Sequence, residues 1–399
     1  MSDAPRDGDV PGGDDDVIPG SPGDSDTGSP ASQSPPDDSV MVDFPLVHED
    51  LSAGAVPISA RLRDRRTQLS IIIPALVLLL VVAALPGFQL DVMVDYILGA
   101  DPWWLLVAFG VYYLGFPLRG YRWSILLRGI GVRIRVRDST EIIFVSWLVN
   151  SVVPAKLGDV YRAWLLKINY PVSLSATFGT IFIERVFDLV AIVVLGLGAA
   201  FWSFRDDLPD SVRIIMGIGV LVVIVLALAL FTLRNFGRRL VHRLPLPARV
   251  VKLYDLFEAG VFSVERRQVP LVGLLTGLIW TTEALRLLFV VDALGFDISL
   301  GISGAFFVAL VASLLTAVPF TPAGLGIVEA GIVGLLTVIY QADPNEAAAI
   351  ALVDRAISVL SVIVLGFIAY LLSPKVRGQA GDVEGARQLE RAAEEGQEG

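Results

Sequence analysis

The chain has no cysteine and only two histidines, His48 and His242, in 399 residues. Disulfide frameworks, thiol nucleophiles and thiolate metal sites are thereby excluded, and two distant histidines are a poor basis for a metal centre. No nucleotide-binding signature is present. Gly324-Leu-Gly326-Ile-Val-Glu is no dinucleotide fingerprint, because no strand-helix-strand unit surrounds it. Charge is also scarce, at 18% of residues against 54% hydrophobic. A chain this apolar, with several runs near the ~20 residues that cross a bilayer core, reads as polytopic membrane protein. The net charge of −10 comes from acid crowded at both ends, whereas arginine clusters just outside the apolar runs. That pattern does not suggest a nucleic-acid binder.

Residues 1–60 are rich in Asp, Gly, Pro and Ser and cannot form a core, so they read as a disordered acidic cytoplasmic tail. They lack a basic n-region, which excludes a signal peptide. Residues 61–102 comprise a basic anchor (Arg61–Arg66), a first transmembrane helix (Ser70–Phe88) and an outer loop. Arginine before that span and acid after it place the N-terminus in the cytoplasm. A first repeat, 103–202, opens with a span at Trp103–Pro117 that ends in the basic R-G-Y-R-W. Ser139–Val153 follows, too short to cross, then the long Leu174–Trp202. Residues 203–269 hold a connecting span (Val212–Leu233) and a basic amphipathic segment (Arg238–Arg267) lying on the inner face. A second repeat, 270–372, has spans at Leu271–Val291 and Ala347–Leu372. Between them Leu300–Val318 and Ile327–Tyr340 flank a second break. Residues 373–399 form a polar cytoplasmic tail.

One motif occurs twice: Pro154-Ala-Lys156-Leu-Gly158-Asp159 and Pro322-Ala-Gly324-Leu-Gly326. Each copy is followed in the next long apolar segment by an acid-Arg pair, Glu184-Arg185 and Asp354-Arg355. Arg122 and Arg286, Gly131 and Gly295, Pro154 and Pro322, and Gly158 and Gly326 keep the same order, with separations that drift by a few residues. Trp103–Pro117 is expected to run inward and Leu271–Val291 outward, which makes the copies inverted. Inverted repeats with re-entrant broken hairpins are a transporter signature.

These residues also resemble a known family. L-R-G-Y-R-W-S-I-L-L-R-G-I-G, N-S-V-V-P-A-K-L-G-D-V-Y-R, E-R-V-F-D, E-A-L-R, P-F-T-P-A-G-L-G-I-V-E-A and D-R are similar to the flippase-like integral membrane family. That family includes the membrane domain of lysylphosphatidylglycerol synthases, and the resemblance runs from about Trp103 to Leu372. It implies a lipid translocase. The soluble aminoacyl-transferase domain of the synthases is not expected here, nor the glycosyltransferase domain that precedes the module in some archaeal relatives.

An ionisable group at membrane depth costs roughly 2.5–3.5 kcal/mol, so each needs a partner or a task. Glu184 and Asp188 stack on one helical face, with Arg185 about 100° round. Arg185, Arg286 and Arg355 cannot shed charge and must be paired or wet; Arg122 is a further candidate for binding the lipid headgroup. Two readings stay open: an internal salt-bridge network, or arginines that receive a phosphate headgroup bidentately. Glu283, Glu329 and Asp354 join Glu184 and Asp188 as candidate proton carriers or arginine partners. The two proline-glycine breaks are either hairpin turns or helix starts whose free N–H groups attract anions, with Lys156 and Arg162 adding charge. Gly and Ala in Leu195–Ala200 and Ala330–Gly334 are expected to permit close helix packing.

The sequence thus predicts an all-α polytopic plasma-membrane protein with both termini cytoplasmic. It is expected to move a polar- or phosphate-headed lipid between leaflets, without cofactor or catalytic residues. Membrane lipid is the expected partner, and a lipid-modifying enzyme acting upstream is a candidate. The alternatives are a membrane enzyme acting on a lipid-linked substrate and a non-transporting scaffold or regulator.

Overall fold

The computed structural model describes residues 89–153, 155–205, 209–298, 300–316 and 321–377. The expectations for the acidic segment 1–60, the basic anchor, the first span, Pro154 and the residues after 377 fall outside the described residues. Within them all regular structure is helical and no strand occurs. Five helices are long and apolar enough to cross a membrane, six if one bent pair counts as a span. The protein is an all-α polytopic membrane protein.

Helix α1 (Leu90–Leu98) meets α2 (Pro102–Arg128) at a bend of 83°. Asp101 caps α2 by accepting the Trp103 N–H at 2.8 Å, and Pro102 sits in the first turn, where no N–H is needed. Two expectations change here. Most of Gln89–Pro102, read as a loop, is a helix, and its Gln89 N–H donates to Asn345 Oδ1 at 2.6 Å. The span expected to end at Pro117 continues to Arg128, so Arg119 and Arg122 are buried helix residues, not loop charges. Pairing inside the protein removes their need for water.

Next come α3 (Val136–Val152) and α4 (Leu157–Asn169), each short of a full crossing, then α5 (Leu174–Ser203). Helix α6 (Asp210–Thr232) passes through a π-helical turn at Leu233–Gly237 into α7 (Arg238–Arg243), so the expected break before the basic segment is absent. Helix α8 (Ala248–Val261) forms the rest of that segment. Then follow α9 (Val269–Leu294), α10 (Gly301–Leu315), a 3-10 turn at Pro322–Gly324 and α11 (Ile327–Ile339). Helix α12 (Pro344–Arg355) continues through a second π-helical turn, Ala356–Leu360, into α13 (Ser361–Leu372), and α14 (Pro374–Arg377) ends the described chain.

The packing is reciprocal. Among the described residues, α2 and α9 share the most extensive contact and form the centre. Helix α3 packs on α2 and α4, as α10 packs on α9 and α11. Each of the helices before a proline-glycine break also reaches across: α3 packs on α13, and α10 on α5.

The glycines of the two segments the sequence named divide: Gly198 and Gly334 have open space where a Cβ would stand, whereas Gly331 faces the Leu315 side chain at 2.3 Å. Backbones also nearly touch between α5 and α8. A Cβ on Gly179 would lie 2.2 Å from the Phe257 carbonyl oxygen, and one on Gly260 would lie 2.1 Å from that of Ala176. No side chain can yield at such a contact. Gly179→Val is therefore expected to destabilise the protein by ~2 kcal/mol or more, read as a lower thermal midpoint in detergent. An unchanged midpoint would mean that α8 is free to leave α5.

Candidate functional site

The centre of the bundle holds a cavity of about 190 Å³. Both proline-glycine motifs reach it, Lys156 from the first and Ala323 and Gly324 from the second. Arg185 from α5 and Arg355 from α12 face it, together with Arg119, Asp188, Glu283, Arg286 and Asp354.

The local backbone explains how the motifs arrive there. The first break is held by Asn150, whose Oδ1 accepts the Gly158 N–H at 2.8 Å. A Cβ on Gly158 would stand 2.2 Å from the Ser146 carbonyl oxygen, so the glycine lets α4 start tightly against α3. At the second break the Gly326 N–H donates to Glu329 Oε2 at 2.7 Å, one turn into α11. Of the amides at the two helix starts, those of Gly158 and Gly326 are thus already satisfied within the protein. Just before each helix start the backbone takes two successive left-handed residues, Ala155 and Lys156 (φ 62° and 53°), then Ala323 and Gly324 (φ 51° and 71°). For residues with a Cβ this conformation costs roughly 1–2 kcal/mol each.

The charges pair one to one. Arg122 Nη1 donates to Asp188 Oδ1 at 2.6 Å and to Thr276 Oγ1 at 2.9 Å. Arg162 holds Glu184 through two bonds of 3.0 and 2.9 Å, with its guanidinium 3.8 Å above the Trp123 ring. Arg185 grips Asp159 at 2.8 Å and touches Asp188 at 3.4 Å. Arg119 pairs with Glu283 at 2.6 Å, Arg286 with Asp354, and Arg355 with Glu329 at 2.9 Å. Bidentate pairing of this kind suits arginine and holds the helices in one register. Lys156 is left over: its ammonium makes no hydrogen bond or ion pair among the described residues.

The pairs repeat across the two runs. Asp159 and Arg185 are 26 residues apart, and so are Glu329 and Arg355. Arg122 lies 3.2 Å from Glu184, the acid before Arg185, while Arg286 pairs with Asp354, the acid before Arg355. Arg119 and Glu283 occupy corresponding positions and bond to each other.

Comparison with known proteins follows these residues. The model of the lysylphosphatidylglycerol synthase TM region matches residues 68–366. The chain belongs to that family. Among its relatives, a UPF0104 membrane protein of Methanocaldococcus jannaschii is 36% identical over 224 residues, covering 56% of this chain and 93% of the relative. Glycosyltransferase AglD of Haloferax volcanii is 29% identical over 352 residues, covering 79% of this chain but 56% of AglD, so the match spans little more than half of that protein. A UPF0104 membrane protein of Methanothermobacter thermautotrophicus is 25% identical over 304 residues, 69% of this chain and 87% of the relative. The names place the chain in a membrane family associated with lipid.

In this member of the lysylphosphatidylglycerol synthase TM family, the candidate residues divide. Lys156, Arg185, Asp188, Glu283, Arg286, Gly324, Asp354 and Arg355 line the cavity. Arg122, Asp159, Arg162, Glu184 and Glu329 stand behind them as counter-charges, while Gly158, Pro322 and Gly326 shape the breaks. Arg162 is 1% exposed and both its terminal nitrogens are held by Glu184, so it adds no free charge for an anion. Sequence reasoning missed Arg119, Tyr112, Asn150, Trp147 and Trp280. Arg119 covers the Trp147 ring at 4.6 Å, Trp280 Nε1 donates to Asp188 at 3.2 Å, and Tyr112 lies beneath Arg286. Arg119 was discoverable: it stands three residues before Arg122, as Glu283 stands three before Arg286.

Glu283 serves two guanidiniums, since Arg286 also reaches it at 3.2 Å. Glu283→Leu therefore strands Arg119 and should cost ~3–5 kcal/mol of stability. Arg119→Met leaves Glu283 with Arg286 and should cost less, and the double variant should recover most of the loss. Thermal unfolding in detergent measures all three. Equal costs for the two single variants would rule out this pairing.

Proposed function

We propose that the protein is a lipid translocase that moves a polar- or phosphate-headed lipid between leaflets by alternating access. The observation that carries this reading is one charged cavity within a membrane bundle, reached by both proline-glycine motifs. The reciprocal contacts support two copies of one unit. Corresponding residues of two such copies meet each other only on the pseudo-symmetry axis, where Arg119 and Glu283 lie. We take the copies as inverted in the membrane, the arrangement in which exchanging their conformations opens the site to the other side. Both termini are then cytoplasmic, and the plasma membrane is the natural setting.

Arg185 and Arg355 are the residues placed to respond to a headgroup. Each ties the start of a short helix to a long helix, and the Arg185 side chain is 34% exposed where Arg122 and Arg162 are 1%. A phosphate could take over the guanidinium fork from Asp159 and release the first turn of α4, while Arg162 keeps its middle on Glu184. The likeness to glycosyltransferase AglD favours, as a second reading, an enzyme acting on a lipid-linked substrate. Against it, Asp188, Glu283 and Asp354 are each held by a guanidinium, which suits anchoring better than proton transfer.

Leaflet exchange of labelled phospholipids in liposomes tests the proposal. Replacing Arg185 and Asp159 together by Met and Leu should leave a monodisperse protein that no longer moves lipid. Arg185→Lys should slow exchange by about tenfold, since an ammonium lacks the planar fork. Normal exchange by the folded paired variant would make Arg185 structural, and chemical conversion of the lipid would favour the enzyme. Orientation has its own check, because the chain is free of cysteine. Single cysteines at residues 137 and 249, both exposed where Ser139 is buried, should react only from the cytoplasmic side, and external labelling at either would reverse the assignment.

A further inference from the structure

We propose that Lys156 is the residue that recognises the headgroup, and that the group it takes is a phosphodiester carrying one net negative charge. The proposal rests on the lipid-translocation reading for the source of that phosphodiester, though the binding does not require transport.

Three observations converge on it. The first is charge balance. Six guanidiniums at the centre are matched by six carboxylates, and Lys156 is a further cation of the cavity whose ammonium makes no ion pair among the described residues. One excess positive charge at a site is best matched by one negative charge. A zwitterionic headgroup would leave the excess in place, and a dianionic phosphomonoester would overshoot it.

The second is a spare donor. Arg119 Nη1 is buried without a hydrogen-bond partner among the described residues, on a side chain that is 6% exposed and lines the same cavity. An ammonium and an unused guanidinium N–H are what phosphate oxygens require. The cavity offers less to other headgroup chemistry. Arg119 covers the Trp147 ring and Arg286 lies over that of Tyr112, so neither of these rings is free to cage a quaternary ammonium.

The third is position. Lys156 is held in the left-handed conformation at φ 53°, where the second motif places Gly324 at φ 71°. Glycine adopts that conformation without strain, and lysine does not. A strained lysine facing a polar cavity marks a functional demand more readily than a folding one.

The same comparison supplies a variant that should not fail for want of folding. Lys156→Gly removes the charge while suiting the backbone, so its thermal midpoint should equal or exceed that of the parent. Isothermal titration of the purified full-length protein in detergent would use short-chain phosphatidylglycerol as the monoanionic diester. Short-chain phosphatidylcholine, a short-chain phosphatidic acid and soluble glycerophosphoglycerol complete the series. Phosphatidylglycerol should bind saturably, at least about tenfold more tightly than phosphatidylcholine or phosphatidic acid. Lys156→Gly and Lys156→Gln should lose about tenfold or more, and Lys156→Arg should retain most of the affinity. Undiminished binding by Lys156→Gly, or equal affinity for phosphatidylcholine, would overturn the proposal. If glycerophosphoglycerol binds as tightly as the lipid, the Lys156 assignment stands and the lipid source is lost. If binding follows this pattern but liposomes show no leaflet exchange, the translocation reading fails and the phosphodiester site remains.

Discussion

A guanidinium cannot give up its proton, and at membrane depth it cannot reach bulk water. The structure is arranged around that constraint. Arg119, Arg122, Arg162, Arg286 and Arg355 all sit inside helices that are otherwise apolar, and each is answered by a carboxylate from another helix. Lipid gives helices no hydrophobic reason to associate, so polar contacts and close backbone packing must choose the neighbours. Here the ion pairs specify which helices meet and at what height, and glycines such as Gly179 and Gly260 let the backbones close. Such pairs add little to stability compared with well-packed apolar residues, but mispairing them would be costly.

Within this frame the arginines are not equivalent. Arg122 and Arg162 are sealed and share Glu184 between them, with Arg162 stacked on the Trp123 ring, and they behave as fixed pins. Arg185 and Arg355 border the cavity, and each binds the first turn of a short helix that follows a left-handed step. In the first of these helices Arg162 holds the middle to Glu184, so it is the first turn, tied to α5 by the Asp159 ion pair, that a competing anion can most readily shift.

Much of this was legible in the sequence. The apolar runs gave the long helices nearly to the residue: Leu174–Trp202 became Leu174–Ser203, and Leu271–Val291 became Val269–Leu294. The recurrence of P-A-x-L-G marked the two breaks, and the demand for pairing marked most of the cavity. Three features were hidden. Arg119 and Arg122 looked like loop charges because the rule for basic flanks cannot tell an arginine outside a membrane from one paired within it. The aromatic residues around the cavity were invisible, since Trp147 and Trp280 sit in apolar runs that account for them without any polar role. The capping of Gly158 by Asn150, eight residues away in sequence, depends on a fold that no local pattern reveals.

The π-helical turn at Ala356–Leu360 separates the two halves of the bundle more than any side chain does. It follows Arg355 directly, and the Ser358 carbonyl within it accepts the Tyr112 hydroxyl at 2.9 Å. Helix α5 has no such turn after Arg185 and runs as a regular α-helix from Leu174 to Ser203. A π-turn holds one residue more than the α-helix it interrupts, so every side chain beyond it is advanced by about 100° around the axis. The long helix bearing Arg185 lacks that extra residue, so the two helices that border the cavity carry their side chains beyond Arg185 and Arg355 in registers about 100° apart.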